Sequence, residues 1–207
     1  MKRIMKFFGL VSVLTLTSCS LFEKIGEFFN GGAKGDDTVY GTGAADETLR
    51  VGPQFPEGEY VVFSRLQGAE ADRSEATVYK SASHSITNVH FATSFTTSSI
   101  VKVAKNQDLV LKYAVAININ SNPEVKDLKN GIFKVGTHVK AGDIKVKGLS
   151  SAGGAGMFTL YKSLNTLTGI ANDLSEYSGI VNGSEEYTIR NIPSGYYIEL
   201  DKLQIIA

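Results

Sequence analysis

The chain has 207 residues, of which 43% are hydrophobic and 20% charged, so it is long enough to bury a substantial core. Its 21 basic residues balance its 21 acidic residues, and no basic stripe follows the chain as a nucleic-acid-binding surface would require. Composition therefore argues against a nucleic-acid partner. A single cysteine also excludes a disulfide framework within the chain.

The N-terminus, residues 1–18, is predicted to be a signal peptide rather than part of the fold. Three basic residues, Lys2, Arg3 and Lys6, precede an apolar run from Phe7 to Leu16. This run of about ten residues is too short to span a membrane. Without the three basic residues, the chain has three more acidic than basic side chains.

The apolar run closes on Leu16-Thr17-Ser18-Cys19, which resembles the lipobox of bacterial lipoprotein precursors. In that family the cysteine is lipidated and becomes the first residue of the mature chain, so the resemblance implies an acyl anchor on Cys19 that holds the protein at a membrane. In Gram-negative members, a residue other than aspartate after the cysteine, here Ser20, usually leads to the outer membrane. The resemblance thus implies an exported protein anchored to the cell membrane or outer membrane. An ordinary secretory signal containing a cysteine is the alternative.

Residues 19–48 are predicted to connect the anchor to the folded part. Ser20 to Phe29 carries apolar residues at helical spacing, which indicates either a short amphipathic helix beside the lipid or a disordered start to the tether. Asn30 to Glu47 is rich in glycine and acidic residues. Such a segment is typical of a flexible tether with a reach of roughly 20–25 Å.

The remainder contains an internal repeat. Val51–Val62 returns as Val135–Val146 with four of twelve positions identical, and Thr77–Ser81 is matched by Thr159–Ser163. The offsets are 84 and 82 residues, so one unit of roughly eighty residues is used twice. We assign the first β-repeat to residues 49–125 and the second to residues 126–207.

Both repeats have the pattern of short strands. Gly58 and Gly142 precede strand patterns, and Tyr60–Phe63 is apolar on both faces, so this strand is predicted to be covered twice, with the other repeat as the suggested cover. The alternation from Leu109 to Ile119 predicts one long strand. Leu164 to Tyr177 fits a short helix and an ordered loop equally well.

With no long helical period, the sequence predicts an all-β protein of two tandem small β-sandwich or barrel-like repeats. The repeated motif resembles small β-repeats found in uncharacterised bacterial secreted proteins and lipoproteins. That resemblance implies an architecture and an exported location, and it transfers no functional residue.

No catalytic residue, metal or cofactor is predicted. His84 and His90 would face the same side of a strand, but the local sequence supplies no third ligand, so surface histidines are expected. Ser150 to Gly156 lacks the Gly-Lys-Ser/Thr ending of a phosphate-binding loop and is expected to be a hairpin loop. Asp143 repeats Glu59 and is expected to be a solvated strand residue, with calcium binding or turn capping as alternatives.

Tyrosines provide the candidate binding surface. Tyr79 and Tyr161 recur in register, and Tyr196 and Tyr197 add a further pair. Exposed tyrosines stack on sugars or anchor protein partners, whereas recurring tyrosines in a repeat are more often core residues. The absence of tryptophan weakens the case for carbohydrate binding.

The sequence therefore predicts a lipid-anchored, non-enzymatic envelope protein used for binding or structural contact. Its expected partners are membrane lipid through acylated Cys19 and an envelope protein or glycan. The alternative is an envelope hydrolase, or a carbohydrate-binding accessory to one, with a site between the two repeats. A third hypothesis is assembly through an exposed strand edge.

Overall fold

The computed structural model of the protein describes residues 38–66, 73–149, 154–164 and 175–206, and this part of the chain is all-β, as predicted. Its helical segments are two 3₁₀ turns, Ile86–Asn88 and Ile119–Ser121. Within these ranges the first unit has eight strands: β1 (Val39–Tyr40), β2 (Glu47–Arg50), β3 (Gly58–Ser64), β4 (Ser74–Tyr79), β5 (Val89–Phe95), β6 (Ser98–Val103), β7 (Asp108–Lys112) and β8 (Ala114–Asn118). The described part of the second unit has six: β9 (Lys129–Lys134), β10 (Gly142–Gly148), β11 (Gly156–Tyr161), β12 (Ser175–Val181), β13 (Glu186–Ile192) and β14 (Tyr197–Ile205).

The first unit consists of two antiparallel sheets, with strand orders β1-β8-β3-β6 and β2-β7-β4-β5. The predicted single strand from Leu109 to Ile119 is in fact two strands, β7 and β8, which meet at Tyr113 with a backbone φ of 53°. This break carries the chain from one sheet to the other. It also changes which alternate residues face the core, since Leu109 and Leu111 before it share a cluster with Ala114 after it.

The second unit repeats this topology. Its strands run in the order β12-β11-β14-β10-β13, and β9 pairs with β14. Strand β14 occupies the places of both β7 and β8, because it pairs first with β11 and then with β10. It bends between these two parts at Lys202, where φ is 55°. Strands β9 to β13 therefore occupy the places of β2 to β6. A register shift also recurs at the end of β4, before Tyr79, and at the end of β11, before Tyr161.

The core of the first unit includes residues of the second unit. Buried residues of the first unit form one cluster with Ile132, Leu164 and Tyr197, all from the second unit. A second cluster fills the second unit between β10, β11, β13 and β14. The two units therefore bury apolar surface against each other, which stabilises their arrangement.

Strand β3 is buried on both faces, as its sequence predicts. Tyr60 and Val62 belong to the large core of the first unit, whereas Val61 and Phe63 lie on the opposite face. Of the described residues packed on this second face, Val39, Val115 and Ile117 are neighbours in the same sheet, and Ile119 and Val125 follow β8. None of these residues comes from the second repeat, which was the suggested cover.

The predicted tether is shorter than residues 19–48. Val39–Tyr40 forms β1 and pairs with β8, and β2 begins at Glu47, so this end of the segment belongs to the first unit. The predicted signal peptide, Cys19 and the amphipathic segment lie outside the described residues. So does most of the segment from 164 to 177, although Tyr177 itself lies in β12. Within the described ranges, no helix has the length and apolar character needed to cross a membrane.

Candidate functional site between the two units

A charged cluster fastens the two units together at Glu59. This carboxylate, on β3, accepts hydrogen bonds from Lys134 Nζ at 2.6 Å and from the Tyr197 hydroxyl at 2.5 Å. Burial acts to raise the pKa of Glu59, but these two donors outweigh it and hold the pKa below its ordinary value. Burial and the adjacent Glu59 carboxylate raise the pKa of Tyr197. The side chain of Glu59 is only 14% exposed, so this ion pair is shielded from solvent screening.

His138 completes the cluster from the turn after β9. Its Nδ1 faces the backbone N–H of Lys134 at 3.4 Å, and its Nε2 is buried with no hydrogen-bond partner in the described part of the chain. Burial and the nearby Lys134 ammonium lower the pKa of His138 to about 4. The imidazole is therefore neutral at physiological pH, and a proton on it would add a second positive charge beside Lys134.

An open groove with a volume of about 370 Å³ runs between the two units. We call it the inter-unit groove. One wall comes from the first unit and the other from β11 and β14 of the second. Its lining residues are Arg73, Glu75, Thr77, Ala92, Thr93 and Ser94 on the first side and Met157, Thr159, Glu199, Leu200 and Asp201 on the second. The lining is thus rich in hydroxyl and carboxylate groups.

Glu199 is the most perturbed acid of the groove. Its Oε2 accepts a hydrogen bond from the Tyr161 hydroxyl at 2.5 Å. Burial raises the pKa of Glu199, the neighbouring Asp201 adds to this, and the Tyr161 hydrogen bond offsets part of it. Asp201 in turn pairs with Arg73 at 2.8 Å, which links the two walls directly. Because Arg73 and Asp201 are each partly exposed, this pair contributes little to stability and mainly shapes the groove.

A third polar cluster lies in the first unit, around Asp108. Arg50 donates to both oxygens of this carboxylate at 3.0 Å, and His84 Nε2 lies 3.0 Å from Oδ2. The Arg50 hydrogen bond is the main cause of a lowered pKa of Asp108, whose side chain is 1% exposed. The ring of Tyr79 lies against His84 with centroids 4.6 Å apart. The contact between His84 and Asp108 holds the loop between β4 and β5 against the start of β7.

Sequence reasoning missed the partner of His84, because Asp108 is 24 residues away and only the register of β4 with β7 brings it close. His90 lines a different, smaller cleft with Lys102 and Gln107. Across the described residues, no group of three or more His, Cys, Asp or Glu side chains is arranged to hold a metal ion. Asp143 is exposed, and its Oδ1 accepts a hydrogen bond from the Asn191 backbone at 2.9 Å, so it caps the end of β13.

The four predicted tyrosines do not form one exposed surface. Tyr197 is buried, with 4% of its surface exposed, and Tyr161 packs against the core with its hydroxyl on Glu199. Tyr196 is half-buried against the second core, and Tyr79 is half-buried beside His84. Tyr79 and Tyr161 therefore recur in the sequence because they occupy equivalent positions in the fold, at the ends of β4 and β11. Tyr161 is hydrogen-bonded to Glu199, which lines the inter-unit groove.

No family model matches the chain, and no curated protein or solved structure matches it either.

Proposed function

We propose that this protein is an exported lipoprotein of the cell envelope that works by binding and that its binding site is the inter-unit groove. The observation that carries the proposal is that the two walls of the groove belong to units held together by a shared core and by the Glu59 cluster. Walls fixed in this way keep a preformed shape, so a ligand pays little to order them.

The lining favours a ligand rich in hydroxyl or amide groups. Thr77, Thr159 and Ser94 offer hydroxyls, while Glu75 and Glu199 offer carboxylate oxygens. Ala92, Leu200 and the half-exposed Met157 add apolar area. An envelope glycan carries both kinds of surface, since its hydroxyls and amides bind polar groups and its ring faces bind apolar ones.

Methionine supplies a direct test of the site. The chain has three methionines, and two of them, Met1 and Met5, precede Cys19, so a chain cleaved there keeps only Met157. A ¹³C-methyl methionine label then reports from the groove alone. Titration with solubilised peptidoglycan fragments is expected to shift this signal. A Glu199→Gln variant is expected to weaken the response, and Glu186→Gln, outside the groove, is the matched control. No shift at any concentration would reject a glycan site here.

The anchor is tested independently by mass spectrometry of protein extracted from its native membrane. A mature chain that begins at a lipid-modified Cys19 is expected, together with an unlipidated Cys19→Ala variant. An unmodified chain cut elsewhere would remove the anchor from the proposal. It would leave the proposed groove site untouched, because the residues that line the groove lie between Arg73 and Asp201.

A second candidate function is hydrolysis of an envelope glycan in the same groove. Burial raises the pKa of Glu199, which is the direction that a general acid needs, and Asp201 is a second carboxylate on the same strand. Turnover of peptidoglycan fragments by the purified protein, lost in Glu199→Gln, would support hydrolysis. Binding without turnover would reject it and leave the binding function in place.

A further inference from the structure

One wall of the inter-unit groove is a single face of the sheet formed by strands β11 and β14. Met157 on β11 lies directly opposite Asp201 on β14. Thr159 lies opposite Glu199 in the same way, and all four residues line the groove. Phe158, which lies between two of them along β11, is buried in the second unit's own core. Strand register therefore decides which side chains face the groove.

The same register carries this face onto β12, past the residues that line the groove. Ile180 lies directly opposite Met157, and Ser178 lies opposite Thr159. Partners in a cross-strand pair share one face of a sheet, so Ile180 and Ser178 extend the wall. In the described part of the chain, β12 is the last strand of its sheet, and the wall ends there. We call the surface formed by Met157, Ser178 and Ile180 the β12 shelf.

Exposure increases along this face from the first unit toward the shelf. Tyr197 of β14 is 4% exposed, because it is buried in the core of the first unit. Met157 is 50% exposed and Ile180 is 68% exposed. At β14 the groove is bridged by Arg73, which crosses from the first unit to Asp201. The groove thus opens over the shelf, and a ligand longer than the groove can continue onto Met157 and Ile180.

The chemistry of this face favours a glycan over a peptide. A peptide held by strand addition binds along an unpaired strand edge, whereas both walls of the groove are sheet faces. Strand β4 of the first wall pairs with β5 and β7, and β11 of the second wall pairs with β12 and β14. Side chains therefore make the contacts with a ligand. Thr159 and Ser178 offer hydroxyls to the hydroxyls of a sugar. The exposed apolar pair, Met157 and Ile180, suits the apolar face of its ring.

We propose that the β12 shelf is a second sugar subsite and that the groove holds a glycan chain of at least two units. This inference rests on the proposed function, because the first subsite, beside Glu199, is the glycan site of the groove itself. Neighbouring strands lie about 5 Å apart, so β14 and β12 are separated by roughly 10 Å. A sugar ring centred on Glu199 therefore does not cover Ile180, whereas the next ring of the chain lies against Met157 and Ile180.

Titration with ligands of different chain length tests the proposal. The Met157 methyl signal follows the binding of peptidoglycan fragments that are separated by length, from one sugar unit upward. Affinity is expected to rise by about tenfold or more between one unit and the longer fragments, because a further ring is buried. Ile180→Ser removes apolar surface from the shelf and is expected to cancel most of this gain. Ile86→Ser is the matched control, since Ile86 is 90% exposed on the first unit outside the groove, and it should leave the gain intact.

Glu199→Gln separates the two subsites. It is expected to weaken the binding of short and long fragments alike, whereas Ile180→Ser weakens the binding of long fragments selectively. Circular dichroism confirms that each variant is folded. Equal affinity for all lengths would overturn the shelf and leave the groove site in place. A length preference that survives in Ile180→Ser would overturn the assignment to β12. No binding at any length would reject the glycan site of the groove, and the shelf with it.

Discussion

Lys202 stands in the second unit where Tyr113 stands in the first, and both have a left-handed backbone, with φ values of 55° and 53°. Each lies where the chain stops pairing with one neighbouring strand, β4 or β11, and begins to pair with another, β3 or β10. The side chains have nothing in common, so the bend follows from the topology rather than from residue type. Such a backbone costs L-residues roughly 1–2 kcal/mol, which the surrounding pairing must offset.

Glycine at position 202 is expected to relieve this strain. Lys202→Gly should leave stability unchanged or raise it by up to about 1 kcal/mol, because glycine adopts positive φ without a steric penalty. Lys202→Val should lower stability by about 1–2 kcal/mol, because a β-branched residue is the worst fit to this conformation. Urea unfolding of the two variants measures the difference. Equal stabilities would contradict a strained backbone at this position.

Sequence periodicity predicts several of the longer strands but not their breaks. The alternation from Leu109 to Ile119 continues unbroken through Tyr113, so nothing in it distinguishes one long strand from two that change sheets. The internal repeat was visible because the turns before β3 and β10 keep their glycines. Gly58 and Gly142 both have positive φ, with values of 155° and 117°, which constrains the residue type there.

The polar clusters were less predictable because strand register assembles them from distant positions. Glu59 meets Tyr197 across 138 residues, and Arg50 meets Asp108 across 58. The repeat did hold one usable signal, since Arg50 and Lys134 are equivalent basic residues just before the repeated block. The side chains that accept from these two residues are not repeated in the sequence. Asp108 accepts from Arg50, but the equivalent position in the second unit is Tyr197, and Lys134 pairs with Glu59 instead.

The close approach of β9 to β6 makes Gly131 irreplaceable. Gly131→Ala would place a Cβ 2.2 Å from the Ser98 carbonyl oxygen, so the two backbones must separate, and stability is expected to fall by about 2 kcal/mol or more. Gly52→Ala is the control, since its nearest neighbour would be 4.0 Å away, and it should change stability by less than about 1 kcal/mol. Thermal unfolding of both variants provides the comparison. A mild effect at Gly131 would show that the junction is loose.

The Glu59 to Lys134 pair is expected to couple the two units energetically. Glu59→Gln removes the charge but keeps an acceptor for the Tyr197 hydroxyl, and Lys134→Met removes the donor while keeping the length of the side chain. A double-mutant cycle measured by urea unfolding should give a coupling energy of about 1–3 kcal/mol, the range for hydrogen bonds to charged groups. Unfolding should remain a single transition, because the core of the first unit includes residues of the second. A coupling energy near zero would mean that the pair does not stabilise the contact between the two units.

His138 is expected to make the junction sensitive to acid. Its pKa of about 4 in the folded chain lies below the ordinary value of 6.5, so between these limits the unfolded chain binds a proton that the folded chain excludes. The stabilising effect of the neutral imidazole is therefore complete above about pH 6.5 and is lost as the pH falls toward 4, by on the order of 2–3 kcal/mol.

His138→Gln isolates this effect, because glutamine is polar but carries no proton in this range. Other groups titrate nearby: Glu199, with its raised pKa, has the opposite dependence, and Glu59, with its lowered pKa, adds a loss of stability in the same direction at the acid end. Both are retained in the variant, so the difference between the two stability profiles belongs to His138. The wild-type free energy of unfolding should fall more steeply from pH 6.5 to 4 than that of the variant. Parallel profiles would mean that the imidazole accepts a proton in the folded chain as easily as in water.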